Sequence, residues 1–298
     1  MNQLITFHLP SSVSVTVKRD DLIHPFVSGN KFRKLKYNLL EAKKENKQTL
    51  LTFGGAFSNH IAAVAYAAKE NGLQSIGIIR GDELRDKIIQ NPTLQFAQDC
   101  GMQLEFITRE AYRDKNEPTF IASLQKQFGD FYLVPEGGTN DLAIKGCEEI
   151  LTNEDAAFDY ICCAVGTGGT ISGLINSALP HQKVLGFPAL KGDFLQDEIR
   201  IFVQNQNWEL ITDYHFGGYG KVNEVLIAFI NEFFKETKIP LDPIYTGKLF
   251  FGVMNMIEDN YFPPQSKIML IHTGGLQGIQ GMNNKLRNKH LPIIDSHV

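Results

Sequence analysis

Cysteine, tryptophan and net charge are all scarce in this chain, and each scarcity narrows its class. Only four cysteines and one tryptophan occur in 298 residues. Cys100, Cys147, Cys162 and Cys163 lack metal-ligand spacing, and the last two are neighbours inside an apparent strand. Neither a disulfide scaffold nor a thiolate metal site is expected, and reduced, mostly buried thiols are. The formal net charge is only -4, from 29 Lys and Arg against 33 Asp and Glu. That lacks the basic excess of a nucleic-acid or polyanion binder. The short basic run Lys31, Arg33, Lys34, Lys36 lies inside a helical pattern and reads mostly as a solvated face. No apolar run approaches the length of a membrane span, and no basic segment followed by a long apolar stretch opens the chain. The expectation is a cytoplasmic protein with no nucleic-acid and no membrane partner. Internal repeats, low-complexity segments and Pro/Ser-rich linkers are missing as well, so no boundary is marked by composition.

What is present is ordinary globular material, 43% hydrophobic and 21% charged, enough for one large core or two modest ones. The recurring pattern is strand, glycine-rich turn, helix. Residues 49–53 (TLLTF) read as a buried strand, followed by Gly54, Gly55 and an alanine-rich helix over about 59–70 that Gly72 stops. Residues 74–79, 102–107 and 131–134 read as strands, with a helix over about 119–128. Asn91 and Pro92 suit a helix cap and first turn. The theme restarts at 159–165, with a helix over about 171–178 and strands at 183–187 and 208–212. A long helix is expected over about 221–235, and a strand at 267–272 precedes a final helix. This βαβ logic predicts parallel sheets covered by helices around one cleft.

Five segments hold candidate chemistry. Gly166, Thr167, Gly168, Gly169 and Thr170 lie between a strand and a helix, where backbone N–H groups and the two hydroxyls make a phosphate cradle. A tight turn serving only packing is the plain alternative. A dinucleotide loop wants an acidic residue ending the next strand, which instead ends in Phe187-Pro188. Lys31 follows Gly29-Asn30 in the first turn of an amphipathic helix, where the helix dipole disfavours a cation and lowers its pKa. From spacing alone, a solvent-exposed lysine is the stronger reading. Ser58, Asn59 and His60 sit at a strand end and helix start, where open α/β sheets bind ligands. The first two are also good caps, and His60 suits a catalytic base or a structural or ligand-edge histidine equally. His272-Thr273-Gly274-Gly275 is another strand end. Tyr219 in GGYG and Tyr245 in DPIYTGK stand beside glycines and prolines that present them to a cleft, although such tyrosines are often core residues.

Together these segments resemble the family of 1-aminocyclopropane-1-carboxylate deaminase and D-cysteine desulfhydrase, from near the N-terminus to about residue 285. SGNKFRKL, GGAFSNH, GTGGT, GGYG, DPIYTGK and HTGG occur in the family's order. The resemblance implies pyridoxal 5'-phosphate as cofactor, with Lys31 as its Schiff-base lysine and Asn59 on its phenolic oxygen. Gly166, Thr167, Gly168, Gly169 and Thr170 would hold its phosphate. It implies Ser58, Tyr219 and Tyr245 as catalytic residues, Thr246 and Thr273 near the pyridine ring, and no metal. The fold implied is the two-domain, tryptophan-synthase-β-like type II fold, with three-layer α/β/α domains and mostly parallel sheets. A small domain at 39–145 would be inserted into a large one formed by 1–38 and 146–298. A homodimer and a small amino-acid substrate are expected on the same ground.

The departures concern the substrate. Deaminases of this family resemble YEGK where this chain has Tyr245-Thr246-Gly247-Lys248, and they have leucine where Thr273 stands. Phe57 replaces a frequent glutamine, Ile61-Ala62 replaces a TR or CR pair, and the stretch before Tyr219 is short. The expected reaction is deaminating β-elimination of a D-cysteine-like amino acid to a keto acid and ammonia. The alternatives are opening of the cyclopropane substrate to 2-oxobutanoate and ammonia, or a non-catalytic small-molecule-binding role.

Overall fold

The computed structural model describes residues 1–7, 12–192 and 194–295. The chain opens with an antiparallel pair, β1 (Asn2–Ile5) and β2 (Ser14–Lys18), followed by helix α1 (Asn30–Lys44). Then β3 (Thr49–Gly54), α2 (Asn59–Glu70), β4 (Gln74–Arg80), α3 (Pro92–Asp99), β5 (Gln103–Ile107), α4 (Pro118–Phe128) and β6 (Tyr132–Val134) alternate. Their strands make a parallel four-stranded sheet in the order β5-β4-β3-β6. After α5 (Asp141–Glu148), the alternation resumes with β7 (Tyr160–Val165), α6 (Gly169–Ser177), β8 (Lys183–Pro188), α7 (Phe194–Arg200) and β9 (Trp208–Leu210). Helices α8 (Glu224–Thr237) and α9 (Thr246–Glu258), strand β10 (Lys267–Ile271) and helix α10 (Gly278–Arg287) complete the chain. The second sheet has the order β1-β2-β10-β7-β8-β9 and is parallel except at β1.

The local reasons are legible in the elements. β3 and β7 are buried along nearly their whole length, because helices cover both faces of a parallel sheet. Asn91 accepts from the N–H groups of Thr93 and Leu94, and Pro92 fills the first helical position of α3. The start of α8 lies at Glu224 rather than near 221, since Asn223 accepts from the Leu226 N–H and caps it. Phe233, Leu249 and Phe250 centre the core of the larger sheet, and Leu50, Ile61, Ile79 and Leu94 that of the smaller. The proposed seams after residues 38 and 145 fall inside α1 and α5. Two packed helices, not linkers, therefore run through both crossings. Among the described residues, no helix is long and apolar enough to cross a membrane.

Candidate active site

The C-terminal ends of β3, β4, β7 and β10 all open onto one cleft of about 600 Å3, lined from both sheets. This is where open parallel α/β sheets place their ligands.

Lys31 lines that cleft from the first turn of α1. Its backbone is set by an interlock of two turns. Gly29 has φ 60°, and a Cβ there would stand 2.0 Å from the Thr273 carbonyl oxygen, so only glycine fits. His272 fixes the facing turn. Its Nε2 donates to the Pro240 carbonyl at 2.7 Å, and its Nδ1 accepts from the Gly274 N–H at 3.2 Å. Among the described residues, the Lys31 amine has no hydrogen-bond or ion-pair partner. Burial lowers its pKa to about 7, and the Lys34 charge adds to the effect, against smaller opposing influences of Cys147 and Asp242. The shift expected from the helix end alone thus has a larger source in desolvation. Sequence reasoning missed Lys34 as a site residue. It is three residues on, hence on the same helix face. Its amine donates to the Gly137 carbonyl at 2.9 Å and the Thr139 hydroxyl at 3.0 Å, and burial lowers its pKa to about 8.

Gly166, Thr167, Gly168 and Thr170 also line the cleft. Gly168 has φ 81° and turns the chain into α6. Gly169 does not line it. The Thr139 hydroxyl and the Lys34 amine lie 2.8 and 3.0 Å from the position its Cβ would take. The Thr167 and Thr139 hydroxyls hydrogen-bond at 2.6 Å, and Asn30 donates to the Thr170 hydroxyl at 2.8 Å.

At the start of α2, the Ser58 hydroxyl oxygen accepts from the N–H groups of His60 and Ile61 at 3.2 and 3.4 Å, so its cap role and its place on the cleft coexist. Among the described residues, the buried Asn59 Oδ1 has no hydrogen-bond partner, an uncompensated cost of burial, while the side chain as a whole lines the cleft. His60 is buried and meets the Thr52 hydroxyl at 2.8 Å, while that hydroxyl donates to the Val134 carbonyl. Burial, with Lys31 and Lys34 nearby, drives the His60 pKa well below its usual value.

Tyr245 lies against Gly166, and its ring meets that of Tyr219 edge to face, with centroids 6.2 Å apart. Burial raises both phenols. Thr273 reaches the cleft, but Thr246 does not. Thr246 is fully buried, and its hydroxyl donates to Asp242 Oδ1 at 2.8 Å and accepts from the Asp242 N–H at 2.9 Å. Thr246 is expected near the pyridine ring; in the structure its hydroxyl is engaged by Asp242 in the turn that opens α9. Asp242 and Lys248 were also missed. Asp242 accepts from three backbone N–H groups at the start of α9, and burial still raises its pKa. The Lys248 amine donates to the His215 and Gly218 carbonyls, both at 2.8 Å, anchoring the turn that carries Tyr219.

These residues fit pyridoxal phosphate. Asn59 lines the cleft with an amide that can donate to a phenolic oxygen, Lys31 is a free amine with a pKa of about 7, and the glycine turn at 166–168 faces the cleft beside Lys34. Lys31, Asn59, the turn from Gly166 to Thr170 and Lys34 are the groups that would hold it.

Two parallel α/β layers with such a lysine at their cleft define the class: a two-domain, tryptophan-synthase-β-like enzyme of fold type II. The chain belongs to the pyridoxal-phosphate-dependent enzyme family, whose profile matches residues 5–274. It is similar to a putative 1-aminocyclopropane-1-carboxylate deaminase of Thermotoga maritima, 31% identical over 92% of each chain. A bifunctional mitochondrial D-cysteine desulfhydrase/1-aminocyclopropane-1-carboxylate deaminase of Arabidopsis thaliana is 30% identical, over 91% of this chain and 74% of that protein. A crystal structure of an ACC deaminase homologue superposes with a TM-score of 0.82 at 28% identity, over 97% of this chain and 93% of that one. Elimination and deamination chemistry on small amino acids is supported by this company.

Proposed function

We propose that the protein deaminates a small β-substituted D-amino acid by β-elimination, as a D-cysteine desulfhydrase does. The observation that carries this reading is the unpartnered Lys31 amine, with a pKa of about 7, facing a cleft lined by Ser58, Asn59 and Tyr245. Bound pyridoxal phosphate supplies the carbonyl that condenses with amines and the ring that draws electrons from the α-carbon. Near pH 7 roughly half of the Lys31 amine is unprotonated, so it can accept a substrate α-proton. Ser58 accepts from the helix with its oxygen and keeps its own proton to donate to a substrate carboxylate. Tyr219 and Tyr245 hold their phenolic protons and serve as donors, not bases. The β-carbon–sulfur bond breaks with its electron pair leaving on sulfur. The three-carbon enamine released then hydrolyses to a keto acid and ammonia.

The runner-up is opening of 1-aminocyclopropane-1-carboxylate, supported by the names of the Thermotoga and Arabidopsis relatives. Ring opening lacks a good leaving group and leans more on full electron withdrawal by the ring than expulsion of a thiolate does. The test is kcat/KM for D-cysteine, L-cysteine, D-serine, β-chloro-D-alanine and the cyclopropane substrate under one condition. D-cysteine or another β-substituted D-amino acid is expected to lead. A preference for the cyclopropane substrate overturns the reading, and a protein that stays colourless with added cofactor supports the non-catalytic alternative. A cytoplasmic homodimer completes the proposal by family likeness, and sedimentation tests the dimer.

A further inference from the structure

We propose that Arg80 is a specificity residue that binds an anionic group at the side-chain end of the substrate. The inference rests on the amino-acid-binding reading of the cleft given above and narrows its substrate class.

Arg80 ends β4, one residue past the register pair Gly54–Ile79, so it stands beside the turn that leads to Ser58 and Asn59. Its Nη2 lies 3.7 Å from where a side chain at Gly55 would begin. The guanidinium is placed over the ring of Tyr112, 5.7 Å from the centroid, a geometry that orients a cation without neutralising it. Tyr112 itself is buried, and its hydroxyl donates to Glu136 Oε1 at 2.8 Å. The other Glu136 oxygen pairs with the Lys115 amine at 3.3 Å. Glu136 is therefore already satisfied by two donors, one of them a cation.

Among the described residues, Arg80 has no carboxylate within ion-pair distance. Glu198 on α7 is the other acidic side chain on the cleft, and it makes no ion pair with Arg80. The guanidinium thus faces the cleft with its charge unspent. Its positive charge acts on the Tyr219 phenol, lowering its pKa against the larger effect of burial. A planar guanidinium with five donors matches a carboxylate, sulfinate or phosphate oxygen pair. On that reading Lys31 and Ser58 serve the α-carbon end of the substrate, and Arg80 takes the side-chain end.

The test compares aspartate with asparagine, which have the same shape and differ in side-chain charge. Each enantiomer is titrated into the cofactor-loaded protein by calorimetry, with the cofactor absorbance followed in parallel. At least tenfold tighter binding of one aspartate enantiomer over its asparagine is expected, with the preference falling as salt is added. Arg80→Ala is expected to bring that ratio near one, and Arg80→Lys to keep part of it. A ratio near one in the parent protein, or an unchanged ratio in folded Arg80→Ala, overturns the proposal. If Arg80→Ala does not fold, the parent ratio and Arg80→Lys still decide. Failure to turn over any of the β-substituted D-amino acids alongside a charge preference sinks the reaction reading alone. Turnover without a charge preference sinks this inference alone.

Discussion

Lys31 and Lys34 share one face of α1, and only the second amine is held. Lys34 is tied to the Gly137 carbonyl and the Thr139 hydroxyl, while Lys31 has no partner among the described residues and carries the lower pKa, about 7 against about 8. The Lys34 charge is the second cause of the Lys31 shift. Removing it relieves repulsion of the protonated form, so Lys34→Met is expected to raise the Lys31 pKa. The measurement is the pH dependence of Lys31 acylation in cofactor-free protein, read by peptide mapping. A midpoint near 7 in the parent and a higher one in the variant are expected. A parent midpoint near 10 would show that Lys31 is an ordinary solvated lysine.

The same mapping bears on the cofactor. Borohydride reduction of the loaded protein should fix the label on Lys31. Recovery of the label on Lys34, or on any other lysine, contradicts the assignment.

Asn59→Ala removes the buried Oδ1 that lacks a partner but keeps Ser58, the side chain that caps α2. The fold should survive, with cofactor affinity reduced about two- to tenfold, the worth of one net hydrogen bond. Equilibrium dialysis and the spectrum of the bound cofactor check this. Unchanged affinity would leave Asn59 as a plain first-turn residue.

Much of this geometry was readable before the structure, and the unread parts have physical reasons. The strands near 50, 75, 104, 133, 162, 185 and 269 announce themselves as apolar runs bounded by turn residues. β1 and β2 do not, because β2 gains its place by pairing Ser14 with Lys267, far along the chain. Helix α9 was not foreseen because ten of its thirteen residues are buried, which leaves no polar face to give a period. Lys31, Ser58, Asn59, Tyr219 and Tyr245 gather at one cleft. Their sequence neighbours do not reveal which side chain turns inward or is spent on a turn, so neither the place of Lys34 on the cleft nor the bonds of Thr246 to Asp242 could be read.

Lys248 explains how Tyr219 is presented. Its amine bridges two carbonyls of a turn in which Gly217 and Gly218 have φ 87° and 110°, and burial lowers its pKa to about 8. Lys248→Met leaves both carbonyls without that donor. Faster amide exchange at residues 215–220 is expected, with the two sheets unaffected and kcat reduced more than KM changes. Unaltered exchange in the turn would remove Lys248 from this role.

Thr246→Glu separates two accounts of the same position. If residue 246 faced the pyridine ring, glutamate there would restore an acid to the cleft and raise the cyclopropane-to-D-cysteine ratio of kcat/KM. The structure argues otherwise. Thr246 is fully buried, and its hydroxyl both donates to and accepts from Asp242. A glutamate at this site would set a second carboxyl beside the Asp242 carboxylate, whose pKa burial already raises. Two such groups in low dielectric cannot both ionise without a large cost. Thr246→Glu is therefore expected to lower the melting temperature at neutral pH. The loss should shrink as pH falls and the added carboxyl stays protonated, because its pKa is raised in the fold relative to the unfolded chain. Thr246→Val tests the hydroxyl alone: it keeps the shape, removes one donor and one acceptor, and should cost about 1–3 kcal/mol. A Thr246→Glu protein of parent stability with an increased cyclopropane ratio would return residue 246 to the ring and refute the buried-turn account.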